Sequence, residues 1–152
     1  MNTSTISVEP IDVSASAAVK EVNHLLALEK LPKNACISVG ALYRLNGATK
    51  RQAEMLAENL LRDIVVEESF FADKEKDAAH VFVDVWYKPG VTDVVGQSVQ
   101  KAATDLNAKL ESVGTGKRYI FKKDKALDKK TLTAFAAKTL FNPLVQECIV
   151  TL

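Results

Sequence analysis

Two stretches of this chain carry the same pattern. Leu56-Ala57-Glu58-Asn59-Leu60-Leu61-Arg62-Asp63-Ile64-Val65-Val66-Glu67 runs beside Ala136-Ala137-Lys138-Thr139-Leu140-Phe141-Asn142-Pro143-Leu144-Val145-Gln146-Glu147. Leu60 falls opposite Leu140, Ile64 opposite Leu144, Val65 opposite Val145 and Glu67 opposite Glu147. Upstream, Ser38-Val39-Gly40 matches Ser112-Val113-Gly114, and Val19 and Leu26 fall opposite Val99 and Leu106. Such a repeat constrains the fold more than any local propensity, because a short unit must bury its apolar face against its copy. Units of about 75 residues bury too small a fraction of their surface to be robust alone. The expected organisation is therefore a pseudo-twofold pair: a divergent first copy over 1–71, a linker over 72–79 and a second copy over 80–152.

Each copy reads as strand, helix, strand, helix, strand. In the second copy, alternation predicts a strand over 81–87, with Val81, Val83, Val85 and Tyr87 on one face. Lys88-Pro89-Gly90 breaks it. Asp93 suits an N-cap for a helix from Val94 to about Leu110. Gly114-Thr115-Gly116 reads as a turn before a strand over 118–121. Asp128 caps a further helix, Asn142-Pro143 ends it, and Leu144 to Val150 closes the copy. In the first copy the expected elements are a strand from Ser4 to Val8, a helix from Ala15 to Leu28 and a strand from Cys36 to Leu45. A helix from Lys50 to Leu61 opens on a Thr49/Gln52 capping box, and a strand from Ile64 to Phe71 ends the copy. The expected fold class is α/β, an α+β sandwich with antiparallel-containing sheets and helices packed on one face.

Charge and hydropathy remove several function classes. Lys and Arg number 20 against 19 Asp and Glu, a net charge of +1. That is not the strongly basic balance of an electrostatic nucleic-acid binder. The stretch Lys117 to Lys130 carries seven basic and two acidic residues, but no aromatic interleaving on a sheet face there resembles an RNA-recognition signature, and a solvated loop or polar protein interface is expected. Apolar runs such as Ile64-Val65-Val66 are far too short to span a bilayer. Met1 to Ser7 lacks a basic start and apolar core, so no signal peptide is read and the expected location is cytoplasmic. Cys36 and Cys148 are expected as reduced, buried strand residues.

Residues able to carry chemistry are few. His24 and His80 have no partner at ligand spacing, and the cysteines form no CxxC pattern, so neither a metal site nor a cofactor is expected. No nucleophile or phosphate-loop motif is present. The chain is expected to have no catalytic residues of its own. The best local candidate is Gly114-Thr115-Gly116-Lys117-Arg118, where a glycine-rich turn beside two cations would suit a small anion. Trp86 and Tyr87 read as core residues at a strand end, or as an interface anchor.

Three blocks of the second copy together resemble the PurS family. They are Lys88-Pro89-Gly90-Val91-Thr92-Asp93-Val94-Val95-Gly96, Val113-Gly114-Thr115-Gly116-Lys117-Arg118-Tyr119, and Leu140-Phe141-Asn142-Pro143-Leu144-Val145-Gln146-Glu147. PurS is the small subunit, or N-terminal PurS-like domain, of phosphoribosylformylglycinamidine synthase in purine biosynthesis. The resemblance implies a non-catalytic part of an ATP-dependent, glutamine-hydrolysing ligase. Such a part bridges a PurL-type synthetase and a PurQ-type glutaminase and supports ammonia transfer. It implies no nucleic-acid or membrane partner, and either a monomer that is an internal pseudo-dimer or a homodimer. By the resemblance, Lys88, Asp93, Thr115, Gly116, Lys117, Arg118 and Tyr119 are interface or anion-binding candidates, Lys117 and Arg118 foremost. Pro89, Gly90, Gly96, Gly114, Asn142 and Pro143 shape turns. Gly114 stands where many family members have Arg, and the first copy matches only in outline, with Asp63 opposite Pro143.

Overall fold

A computed structural model describes residues 3–75 and 77–152. Met1, Asn2 and the linker residue Lys76 lie outside the described residues. The first half contains β1 (Thr3–Pro10), a 3-10 turn (Val13–Ala15), α1 (Ala17–Leu28), β2 (Cys36–Asn46), α2 (Lys50–Leu56) continuing into a wider π turn (Ala57–Leu61), and β3 (Glu67–Phe71). The second contains β4 (His80–Tyr87), α3 (Val94–Asp105), β5 (Ser112–Lys122), α4 (Lys129–Thr139) and β6 (Gln146–Thr151). The strands form one six-stranded sheet in the order β3-β1-β2-β5-β4-β6. Every neighbouring pair is antiparallel. The fold class is α+β as expected, built on a single continuous sheet.

The two halves of the sheet mirror each other residue by residue. Ile6 pairs with Phe71 as Val83 pairs with Val150. Val8 pairs with Ala41 as Val85 pairs with Lys117. At the centre, Gly40 faces Arg118 and Leu42 faces Gly116, on either side of the pair Ala41–Lys117. An approximate twofold axis therefore passes between Ala41 and Lys117. It equates Gly40 with Gly116, whereas the sequence match set Gly40 against Gly114.

Hydrogen bonds shift two further equivalences. Ser16 caps α1 through the Val19 N–H, and Asp93 caps α3 through the Gly96 N–H. Val19 thus corresponds to Gly96, and Val22 to Val99. The Asp63 carboxylate accepts from the Val65 N–H while the Asp63 N–H donates to Glu67. Asn142 repeats this with Leu144 and Gln146, so Asp63 corresponds to Asn142 and not to Pro143. The copies differ in loop length, and sparse identities slide easily across such differences.

Several boundaries also move. The helix expected to reach Leu110 ends at Asp105, because Asn107 adopts φ 61° and the Ala108 N–H closes back on the Ala103 carbonyl. Lys30, at φ 59°, ends α1 in the same way. Ile64–Val66 and Leu144–Val145 form turns before β3 and β6 and not the starts of those strands.

All four helices cover one face of the sheet, and each of the two cores beneath them draws on both halves; a smaller cluster of Leu42, Ala72 and Trp86 lies on the other face. In one, Val19, Val22 and Leu26 of α1 meet Leu132, Phe135 and Ala136 of α4 above Val81, Val83, Val85, Tyr119 and Phe121. In the other, Ala53 and Leu56 of α2 meet Ala103 of α3 above Ile6, Val8, Leu45 and Val113. Neither half encloses an apolar core from its own helices alone. Crossed helices and a shared β2–β5 ladder supply what the size of a single unit cannot.

Candidate functional site

Between the two helix pairs the sheet is left open along the twofold axis. The resulting cleft holds about 530 Å³ and is lined by Val39, Ala41, Tyr43, Tyr87, Thr115, Lys117, Tyr119 and Gln146, among others. Ala18 and Val95, in the first turns of α1 and α3, stand at its rims. The apolar walls are Val85, Val95 and Leu140. Lys117 is the one charged residue in this lining, and it is exposed. Among the described residues it makes no ion pair.

Four sequence candidates thus meet in the cleft: Thr115, Gly116, Lys117 and Tyr119. Strand alternation explains the set, since Thr115, Lys117 and Tyr119 point to the helix face in successive pleats. The Tyr43 and Tyr119 rings flank Lys117 from equivalent positions. Burial raises both hydroxyl pKa values, helped by Glu67 for Tyr43 and by Cys36 and Glu21 for Tyr119. Both hydroxyls stay neutral donors at physiological pH. Tyr87, expected as a core residue or an interface anchor, also lines the cleft, whereas nothing local marks Tyr43 or Gln146; only the β2–β5 pairing brings Tyr43 of the first copy to the axis.

The proposed glycine turn does not exist. Gly114 to Tyr119 lie in the middle of β5, paired with β2 and, from Gly116 onward, with β4. Their backbone N–H groups are taken by the ladder or, at Thr115, by the Asp93 carboxylate, and cannot form an anion nest. Gly116 is needed for space: an added Cβ would strike the Val85 carbonyl oxygen and the Trp86 ring. At Gly114 the nearest atom to an added Cβ is Arg44 Cβ at 3.7 Å, an ordinary contact.

Asp93 does two jobs. Its carboxylate caps α3 at 2.8 Å and also accepts from the Thr115 N–H at 2.7 Å and the Thr115 hydroxyl at 2.8 Å. The Thr115 N–H lies beyond the last β4–β5 pair, Trp86–Gly116, so a side chain completes the ladder there. Asp93 is therefore a structural clamp between α3 and β5. Gly96 lets that helix approach, since an added Cβ would meet the Val113 carbonyl.

Arg118 is not a surface residue. It lies on the face of the sheet opposite the helices, with 3% of its side chain exposed. Nε and Nη2 donate to the Asp84 carboxylate at 2.8 and 2.9 Å, while Nη1 donates to the Ala72 carbonyl at 2.8 Å and to Glu75 at 2.9 Å. Its guanidinium carbon stands 4.9 Å from the centroid of the Phe82 ring. Burial would lower its pKa, but the hydrogen bonds and charge of Asp84, then those of Glu75, outweigh this and hold it charged. Arg118 fastens the segment after β3 across this face. On the same face, Ser7 and Ser38 donate to the buried Glu9 at 3.0 and 3.1 Å, a cluster the sequence did not signal.

The remaining candidates lie apart. Lys88, Pro89 and Gly90 form the exposed turn after β4, with Gly90 at φ 86°. Asn142 and Pro143 lie in the exposed turn before β6. Trp86 is buried beneath the Arg44 guanidinium, 4.0 Å away, and is a core residue. Cys36 and Cys148 are free thiols. Among the described residues no cluster of His, Cys, Asp and Glu could hold a metal ion, and no helix is long and apolar enough to cross a membrane.

Comparison with known proteins gives one family match and no match among curated proteins. The matching family is PurS, described as phosphoribosylformylglycinamidine (FGAM) synthase, and the match spans residues 80–152, from the first residue of β4 to the end of the chain. All three motif blocks lie inside it, as do the clamp of Asp93 on Thr115, the glycine under Trp86 and the axial Lys117. Over residues 80–152 this chain is similar to the PurS family.

Proposed function

We propose that the chain is a non-catalytic PurS-like subunit or N-terminal domain of phosphoribosylformylglycinamidine synthase, bridging a PurL-type synthetase and a PurQ-type glutaminase and supporting ammonia transfer between them. The family match over 80–152 carries this reading. The mirrored strand register supports treating 1–71 as a divergent second PurS-like unit, joined by 72–79, so that one chain is an internal pseudo-dimer. A cytoplasmic setting follows from the pathway.

The distribution of apolar surface suits a bridge. Ile64, Val65 and Val66 are 65%, 79% and 55% exposed at one edge of the sheet. Leu144 and Val145, 84% and 36% exposed, sit in the corresponding turn at the other edge. Exposed apolar groups at two opposite edges favour two separate contacts. Neither involves Arg118, which is consumed internally.

The test combines the chain with PurL-type and PurQ-type proteins in pull-downs and in glutamine-dependent and ammonia-dependent synthetase assays. The expected result is co-purification, with glutamine-dependent turnover restored and ammonia-dependent turnover less affected. Val65→Asp and Leu144→Asp are expected to weaken different partners. Absence of both binding and activation, under conditions where a known PurS protein gives both, refutes the proposal.

A further inference from the structure

We propose that the axial cleft is a binding site for a small phosphomonoester with a planar body, held at Lys117. The argument starts from charge. Lys117 stands exposed on the cleft floor and is the one charged residue in the lining among the described residues; Glu67 and Glu21 act on Tyr43 and Tyr119 from outside it. A cation on the floor of a cleft attracts an anion more strongly than the same cation on a flat surface, because the low-dielectric walls focus its field. The N-terminus of α1 points the same way: Ala18 lines the cleft and the cap, Ser16, is neutral. At α3 the cap is Asp93, whose charge offsets that helix end.

Charge selects the class of anion: a phosphomonoester carries about −1.5 to −2 at pH 7, so the point charge of one lysine attracts it more than a singly charged carboxylate. No arginine among the lining residues offers a planar carboxylate a two-point grip. The two neighbouring arginines face the opposite side of the sheet: Arg118 is fully engaged there and Arg44 stacks over the Trp86 ring. Gln146 accepts from the Asn142 N–H through Oε1, which leaves its amide N–H groups as donors. The rings of Tyr43, Tyr87 and Tyr119, with Val85, Val95 and Leu140, offer flat and apolar walls for a ring. The volume, about 530 Å³, lies within the range of small-molecule sites.

The twofold axis makes the site singular. Lys117 pairs across the strands with Ala41 at the axis. A symmetric pair of such units would place two lysines there. This chain has one cation and a small neighbour, which leaves room beside it.

The full chain would be titrated with phenyl phosphate in phosphate-free buffer, by calorimetry and by backbone amide NMR. Phenol, benzoate and inorganic phosphate serve as comparators. Phenyl phosphate is expected to bind best and to shift the amides of Ala41, Tyr43, Thr115, Lys117 and Tyr119. Lys117→Ala should weaken it about tenfold or more, the scale of a charge-assisted contact. Ala41→Glu should do the same by pairing with Lys117 across the strands, and its amide spectrum reports that it is folded. Lys123→Ala/Lys125→Ala should change nothing. Cleft amides that stay unmoved up to about 10 mM ligand, or binding indifferent to Lys117→Ala, overturn the site. Benzoate binding as tightly as phenyl phosphate overturns the phosphate assignment. The outcome is independent of the synthetase partners, so failure here leaves the assembly role standing.

Discussion

Replacing Arg118 with methionine tests how the open face of the sheet is held. Asp84 and Glu75 are 12% and 11% exposed, and Arg118 is the cation that compensates both. Methionine preserves much of the volume against Phe82 but removes four hydrogen bonds to Asp84, Glu75 and the Ala72 carbonyl. Breaking a buried pair by removing one member costs about 3–5 kcal/mol, because the other charge is left uncompensated. At roughly 2–4 °C per kcal/mol for a chain of this size, the midpoint should fall by about 6–20 °C. Glu75 can swing into solvent more readily than Asp84, so most of the loss belongs to Asp84. Arg118→Met/Asp84→Leu should therefore regain most of it, since apolar residues commonly replace a buried pair at little cost. Urea and thermal unfolding followed by circular dichroism would measure both variants. A loss below about 1 kcal/mol for Arg118→Met, the scale of an exposed pair, would refute the claim that this cluster is buried and fastens the segment after β3.

Other consequences follow from the same geometry. Gly116→Ala should destabilise the chain by about 1–3 kcal/mol through overpacking against Val85 and Trp86, while Gly114→Ala should be near neutral; a melting comparison separates them. Asp93→Ala loses a helix cap and the Thr115 clamp, so denaturant unfolding should show a greater cost than the roughly 1 kcal/mol of a cap alone. Burial pushes the Cys36 thiol up to about 12, and raises Cys148 less strongly from a half-buried edge position. A thiol reagent at pH 8 should therefore label Cys148 first and Cys36 only on unfolding. The stability from burying neutral Cys36 is complete below an unfolded thiol pKa of about 8.5 and is lost as pH rises towards the folded value. A fragment of residues 80–152 lacks α1 and exposes the β5 edge, so light scattering should find it self-associated or else unfolded.

Much of the secondary structure was legible in single residues. Asp93, Asp128 and the Thr49/Gln52 box all cap helices as their spacing indicated. Alternation in β4 put Val81, Val83 and Val85 on the core side. Glycine misled the reading of β5: Gly114 and Gly116 suggested a turn, but the need at Gly116 is for space beside Trp86, and sequence does not distinguish the two. Arg118 misled for a related reason. Next to Lys117 it looked like half of one basic patch, yet neighbours on a strand face opposite sides.

The strand-helix-strand-helix-strand order of each half and the similarity of residues 80–152 to the PurS family were already present in the amino-acid order, because periodicity, caps and motif spacing are local properties. The cleft was not. It depends on β2 pairing with β5, on α1 crossing to meet α4 and on α3 crossing to meet α2. These are long-range choices made by the burial of apolar faces that neither half can cover alone. Only that pairing sets Ala41 beside Lys117, sends Arg118 to the opposite face and leaves one lysine exposed on the axis.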